Sequence, residues 1–294
     1  MYICKISIVP KNNIDYVWNN FVKKTDIPGM KKTILFWIIA FIITAISAVF
    51  QRVTGPSFPK TGNIIFEGKT ISYIFERSHS SSSNCVIEIK TGDPLIRGTL
   101  KWRSNYKALD PFDSVEMKGN ETLRAELPAQ APLKKLQYFV KLHKGNSTQG
   151  NESAMSPSTM VPAEVPVIIR FRGDVALIIL LPHIFAMFFA MMLSTRTALE
   201  VFQEKPKLKK LAFWTVIFLF IGGFLLGFLM NYFAFNQIWG GIPIGNDITD
   251  NKTLIAFVGW GLSYYMIKKD AAPKLFAVLA ALIMFIVYSI PHSV

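Results

Sequence analysis

Five apolar runs decide what this chain can fold into: Thr33–Phe50, Val175–Leu193, Leu211–Met230, Thr253–Ile267 and Leu275–Ile290. A helix advances about 1.5 Å per residue and a bilayer's hydrocarbon core is about 30 Å thick, so a span needs roughly 20 apolar residues. The first three runs meet that length, and the last two need flanking residues or a locally thinner bilayer. Backbone N–H and C=O groups find no water in hydrocarbon, so such runs must be helices. Hydrophobic residues make up 51% of the 294. The expected fold is a membrane α-helical bundle of about five spans, the first at 33–50 and the others at 174–193, 211–231, 253–267 and 275–290. The last four would form one membrane region over 174–294, entered directly from the preceding segment through Gly173 and Asp174.

A formal net charge of +13 raises the question of nucleic acid, and its distribution answers it. Residues 1–32, a basic N-terminal segment, carry six Lys against two Asp; 194–210 carry five basic against two acidic residues; 268–274 carry three Lys against Asp270. The stretch 231–252 is the acidic exception. Basic segments flanking spans stay on the cytoplasmic side, so the N-terminus is expected inside. Residues 51–173 and the C-terminus are expected outside the cytoplasm. The basic clusters are topology signals that also meet anionic lipid, and no nucleic-acid partner is expected. The first run is longer than the apolar part of a cleaved signal peptide, which favours an uncleaved anchor. Residues 2–8 alternate like a brief strand, and 15–24 have the pattern of an interfacial helix carrying Trp18.

Between the first two spans the apolar period changes to two, the strand period. Ile71, Tyr73 and Phe75 alternate, as do Ile96, Leu100 and Trp102; Leu123, Ala125 and Leu127; Leu136, Tyr138, Val140 and Leu142; and Val165, Val167, Ile169 and Phe171. Turns are expected at Gly62-Asn63, Gly92-Asp93-Pro94, Lys118-Gly119-Asn120 and Pro128–Pro132, and mobile loops at 78–84 and 145–162. Short strands at this spacing predict an inserted all-β sandwich over 51–173. Cys85 lies in the alternating run Cys85–Ile87–Ile89 and is expected as a buried small hydrophobe; Cys4 falls across the membrane from it.

The candidate sites are few. His183 is the ionisable residue inside the runs, which makes it a functional candidate by default. Met187 and Met191 follow on the same helical face. Imidazole with thioether suits copper or a haem axial site, whereas a neutral His bonded to a carbonyl freed by Pro182 is the structural reading. The outer loop 236–252 is aromatic and Gly-rich and ends in Asp247, Thr249, Asp250, Asn251 and Lys252. Its acidic groups serve either as helix caps, with Asp250 the expected N-cap, or as a cation or polar-ligand site shared with His183. Lys252 is a further partner for these carboxylates. Gly223 and Gly227 form a small-xxx-small face for helix packing. No hydrolase, metalloprotease, P-loop or paired-Cys motif occurs, and the spans show no inverted repeat of the kind transporters use.

The stretch Leu127–Leu142, LPAQAPLKKLQYFVKL, resembles the proline turn and tyrosine strand of immunoglobulin- and fibronectin-like domains. Together with Ile169–Glu200 and Gly241–Leu254, the chain resembles uncharacterised bacterial multi-pass inner-membrane proteins with an extracytoplasmic Ig-like domain after the first span. That resemblance implies architecture and a bacterial inner membrane, and no activity. Two functions are expected. One is a non-enzymatic binding or scaffold protein, a subunit or assembly factor of a membrane complex, whose β-domain docks a protein outside and which forms homo- or hetero-oligomers. The other handles haem, a metal or an ion through His183 and the 236–252 loop.

Overall fold

A first long helix, α1 (Gly29–Thr54), opens the part of the chain that the computed structural model describes, residues 29–104, 110–144 and 157–291. The expected strand at 2–8, the helix at 15–24 and most of the loop 145–162 lie outside the described residues. Ten strands follow α1: β1 (Lys60–Phe66), β2 (Lys69–Phe75), β3 (Ser78–Ser80), β4 (Cys85–Lys90), β5 (Ile96–Ser104), β6 (Asp113–Glu116), β7 (Thr122–Leu127), β8 (Lys135–Lys144), β9 (Ser158–Val161) and β10 (Val167–Arg172). Then come α2 (Leu177–Glu200), α3 (Leu208–Leu219), a π-helical segment (Phe220–Leu226), α4 (Gly227–Phe235), α5 (Ile248–Lys268) and α6 (Pro273–Ser289). Among the described residues three helical stretches are long and apolar enough to cross a membrane: Lys31–Thr54, Leu177–Glu200 and Leu208–Phe235. Their 24, 24 and 28 residues correspond to about 36 to 42 Å of helix, enough for a hydrocarbon core. The chain is a membrane protein with a β-sheet region.

The described residues divide into two compact units. The β unit comprises Arg52–Leu177 together with Leu229–Trp239. Its strands form a β1–β2 hairpin, a β4–β7 pair and a six-stranded sheet ordered β3-β10-β8-β5-β6, with β9 also pairing β8. All three sheets contribute to one core, including Phe75, Cys85, Ile87, Leu100, Leu123, Tyr138 and Phe171. The alternation read from sequence supplies this core because successive residues of a strand face opposite sides. Val165 departs from it: the last strand begins at Val167, and Val165 is exposed.

Two local expectations need correction. Gly62-Asn63 is no turn but part of β1, paired with Tyr73 and Ser72. The ring of Tyr73 crosses Gly62, where a Cβ would lie only 2.4 Å from the phenol oxygen, so the glycine makes room for an aromatic side chain. The hairpin turns instead at Glu67-Gly68, both with positive φ, 51° and 75°, the geometry that matches the twist of paired strands. The serine stretch also folds: Ser78–Ser80 runs parallel to Arg170–Arg172, and Ser81 N–H donates to Arg172 O at 2.7 Å. Its backbone completes a sheet edge, which side-chain polarity does not forbid.

The largest buried polar side chain in this unit is matched. The Tyr138 hydroxyl donates to Glu76 O at 2.8 Å, tying β8 to the strand exit 62 residues earlier. Burial holds its phenol well above the usual tyrosine range, so it keeps the proton it donates. Burial, with Glu76 adding to it, pushes the Cys85 thiol up to about 12, which makes it a core atom rather than a nucleophile. Gly173 N–H donates to Ala234 O at 2.7 Å, and the Arg170 guanidinium stacks 4.3 Å from the Phe235 ring. A Cβ on Gly173 would fall 2.1 Å from Phe233 O.

The helical unit comprises the described residues up to Gln51, then Ile178–Phe228 and Gly240–Ile290. Its core uses small residues at close approaches, among them Ala190, Ala212, Ala256, Ala277 and Ala280. Association in lipid depends on such van der Waals fit, because lipid tails are as apolar as leucine. Trp260 is fully buried there and donates its indole N–H to Ser194 Oγ at 3.2 Å. Gln51 donates to Tyr288 O, joining α1 to α6, and Gln203 donates to Thr33 Oγ1 at 3.2 Å, joining α1 to the turn after α2.

Candidate functional site

His183 stands one residue past Pro182 in α2, yet it does not serve its own helix. Its Nδ1 lies 2.9 Å from Gly222 O, 39 residues away in the π segment. A carbonyl only accepts, so Nδ1 carries the proton. A π turn offsets the helical hydrogen-bond ladder, and such turns recur at functional positions. Met187, one turn on from His183, covers the same glycine: a Cβ on Gly222 would meet its Sδ at 2.7 Å and Ala186 Cβ at 3.0 Å. The Tyr288 hydroxyl reaches Met187 Sδ at 3.9 Å, and Met191 is buried in the bundle core. The His–Met face is thus engaged with Gly222 and α6. Among the described residues, no group of three or more His, Cys, Asp or Glu is placed to hold a metal ion.

The loop candidates cluster around the first turn of α5. The helix starts at Ile248, earlier than the expected span edge, and its N-cap is Asp247 rather than Asp250. Asp247 accepts from the N–H groups of Thr249 at 2.8 Å and Asp250 at 3.1 Å. The reason is positional: the cap must precede the first helical residue and face the second and third free N–H groups. Asp250 is displaced into the helix, where it is buried and accepts from Gly240 N–H at 2.7 Å. Asn251 accepts from Ile242 N–H at 2.7 Å, and Asp247 N–H returns to Gly240 O at 2.8 Å. Gly240–Asp247 is therefore a closed loop held by side chains of the helix it precedes. Lys252 lies within electrostatic reach of Asp247 and donates its ammonium to Ile290 O at 2.6 Å, just past the end of α6. Thr249 supplies its carbonyl to Thr253 Oγ1 at 3.1 Å.

The glycine pair expected for packing is split. A Cβ on Gly223 would sit 2.4 Å from Thr253 Cγ2, so α5 approaches the π segment there. A Cβ on Gly227 would meet Gly222 O at 3.4 Å, an ordinary contact. The second close-approach glycine is Gly222, because the π turn rotates the helix surface relative to an α-helical count of four.

One feature escaped the sequence reading. Arg196 and Glu200 are 3% exposed each and paired at 2.5 Å inside α2, which continues to Glu200 rather than ending near Leu193. The guanidinium lies 5.5 Å from the rings of both Phe36 and Trp37 of α1. The second Glu200 oxygen accepts from Lys207 N–H at 2.8 Å, at the entry to α3. Three helices therefore meet at one ion pair. Opposite charges four residues apart at the end of an apolar run were its visible signal.

Two predictions follow from these contacts. Gly223→Ala lowers thermal stability of the detergent-solubilised protein by several degrees, Thr253→Ser in the same chain restores most of it by removing the opposing methyl, and Gly227→Ala has little effect; equal losses at both glycines would refute the assignment. Arg196→Met alone strands a buried carboxylate and costs about 3–5 kcal/mol, whereas Arg196→Met with Glu200→Gln recovers at least half of that in denaturant unfolding. No protein-family model, curated protein or solved structure matches this chain.

Proposed function

We propose that the chain is a non-enzymatic, five-span membrane anchor, with α5 and α6 as the fourth and fifth spans. It holds an Ig-like β-sandwich outside the cytoplasm of a bacterial cell for docking a partner protein, as a subunit or assembly factor of a membrane complex. The observation that carries this reading is the set of exposed apolar side chains on the outward sides of β1, β2 and β4. Ile65, Ile74 and Val86 stand there 78%, 66% and 51% exposed, while their inward neighbours fill the core. Ile65 and Ile74 share the outward side of the β1–β2 hairpin, four register positions apart, and apolar side chains on the solvent side of a sheet favour a protein contact. The chemistry-bearing residues support the same reading from the other side. His183, Asp247, Asp250, Asn251 and Lys252 each bond a backbone group. Placing a photo-crosslinking residue at Ile65 or Ile74 in native membranes is expected to give a discrete protein adduct that the same residue at Lys101 or Lys141 does not. Uniform background at all four positions would remove the proposal.

A second reading, a haem- or metal-handling protein, is favoured by one observation, the π turn beside an intramembrane histidine. It requires a Soret band or stoichiometric metal in the purified protein that is lost in His183→Ala. An identical, featureless spectrum in both forms sustains the anchor.

A further inference from the structure

At the basic end of α3 a cavity of about 550 Å³ opens between α3 and α5. Its rim carries Lys207, Lys209 and Lys210, and its wall is built from Pro206, Phe213 and Tyr264. The three lysines are exposed. Glu200, the buried carboxylate at this turn, is already bound to Arg196 and to the Lys207 backbone N–H. The rings of Phe213 and Tyr264 pack at 5.8 Å and make a continuous apolar surface below the ammonium groups. Lys268, one turn beyond Tyr264 in the last turn of α5, adds a further cation at that level.

We propose that this cavity binds one anionic phospholipid, its phosphate held by Lys207, Lys209 and Lys210 and its glycerol and upper acyl carbons lying on Phe213 and Tyr264. The location fits that occupant. Lys209 and Lys210 open the apolar stretch Leu208–Phe235, so they stand at headgroup depth when that stretch spans the bilayer. A free phosphate would use the lysines and gain nothing from the aromatic wall. A neutral lipid would use the wall and leave three cations unmatched. α3 has no side-chain N-cap and no acidic residue in its first turn, so the positive end of the helix adds to the same field. The site rests on the membrane-spanning reading of α3, and it assigns the basic cluster a bound ligand in addition to its part in setting orientation.

The test uses the full chain in mild detergent, titrated with phosphatidylglycerol or phosphatidylcholine and read by native mass spectrometry. One phosphatidylglycerol is expected to bind at least about tenfold more tightly than phosphatidylcholine, since each lysine near an anionic surface contributes a substantial share of attraction. The triple variant Lys207→Gln, Lys209→Gln, Lys210→Gln abolishes that preference. A charge-matched variant in the β unit, Lys60→Gln, Lys118→Gln, Lys141→Gln, keeps it. Phe213→Ala, with every charge intact, weakens phosphatidylglycerol binding severalfold, and millimolar inorganic phosphate does not displace the lipid. Equal retention of the two lipids, or equal loss in both triple variants, overturns the site while leaving the membrane reading in place. Retention of neither lipid likewise overturns the site.

Discussion

In hydrocarbon, a backbone carbonyl or amide without a partner costs several kcal/mol, and that penalty organises the helical unit. Several of its polar side chains go where helices begin, end or change pitch. His183 supplies a proton to Gly222 O in the π segment, Asp247 closes the first N–H groups of α5, and Lys252 and Gln51 reach carbonyls at the end of α6. Asp250 and Asn251 do the same for loop amides that no helix ladder serves. Residue types that signal chemistry in a soluble enzyme here satisfy the main chain. The intramembrane histidine and the acidic loop thereby share one pattern, side chains bonded to main-chain groups.

The Arg196–Glu200 pair obeys a different balance. Two charges removed from water repay their desolvation only when geometry and additional hydrogen bonds are good. Here the guanidinium lies 5.5 Å from two aromatic rings of α1, and the carboxylate also takes an N–H at the start of α3. The pair and its neighbours join α2 to α1 and to the start of α3.

Legibility followed the physics of each element. Period-two alternation reported the β core almost residue by residue, from Ile71 to Phe171, because burial on one face of a strand is enforced at every second position. Apolar length reported the three long helices because a span must be apolar along its whole length. The turns were less legible. Gly62 looked like a turn glycine, but its role is set by the ring of Tyr73, a residue on the neighbouring strand. The cap was misplaced by three residues because Asp247 and Asp250 satisfy the local rule equally, and only the path of the Gly240–Asp247 loop chooses between them. Tyr138 was legible as an inward strand residue, but the partner of its hydroxyl, a carbonyl 62 residues upstream, was not.

The basic segment between α2 and α3 shows how a charge count and a structure address different questions. Counting treats Arg196 as part of the orientation signal, yet its side chain is buried against Glu200. Because that pair is internally neutral, withdrawing it leaves the segment's net charge unchanged, and the signal passes to Lys205, Lys207, Lys209 and Lys210 against Glu204, all of them exposed. The count gives the right sum for a partly wrong set of residues. The distinction matters for function: a buried arginine fixes helices to one another, while exposed lysines above an aromatic wall are free to hold an anion. One short basic stretch thereby divides into a buried pair that joins helices and a set of exposed lysines.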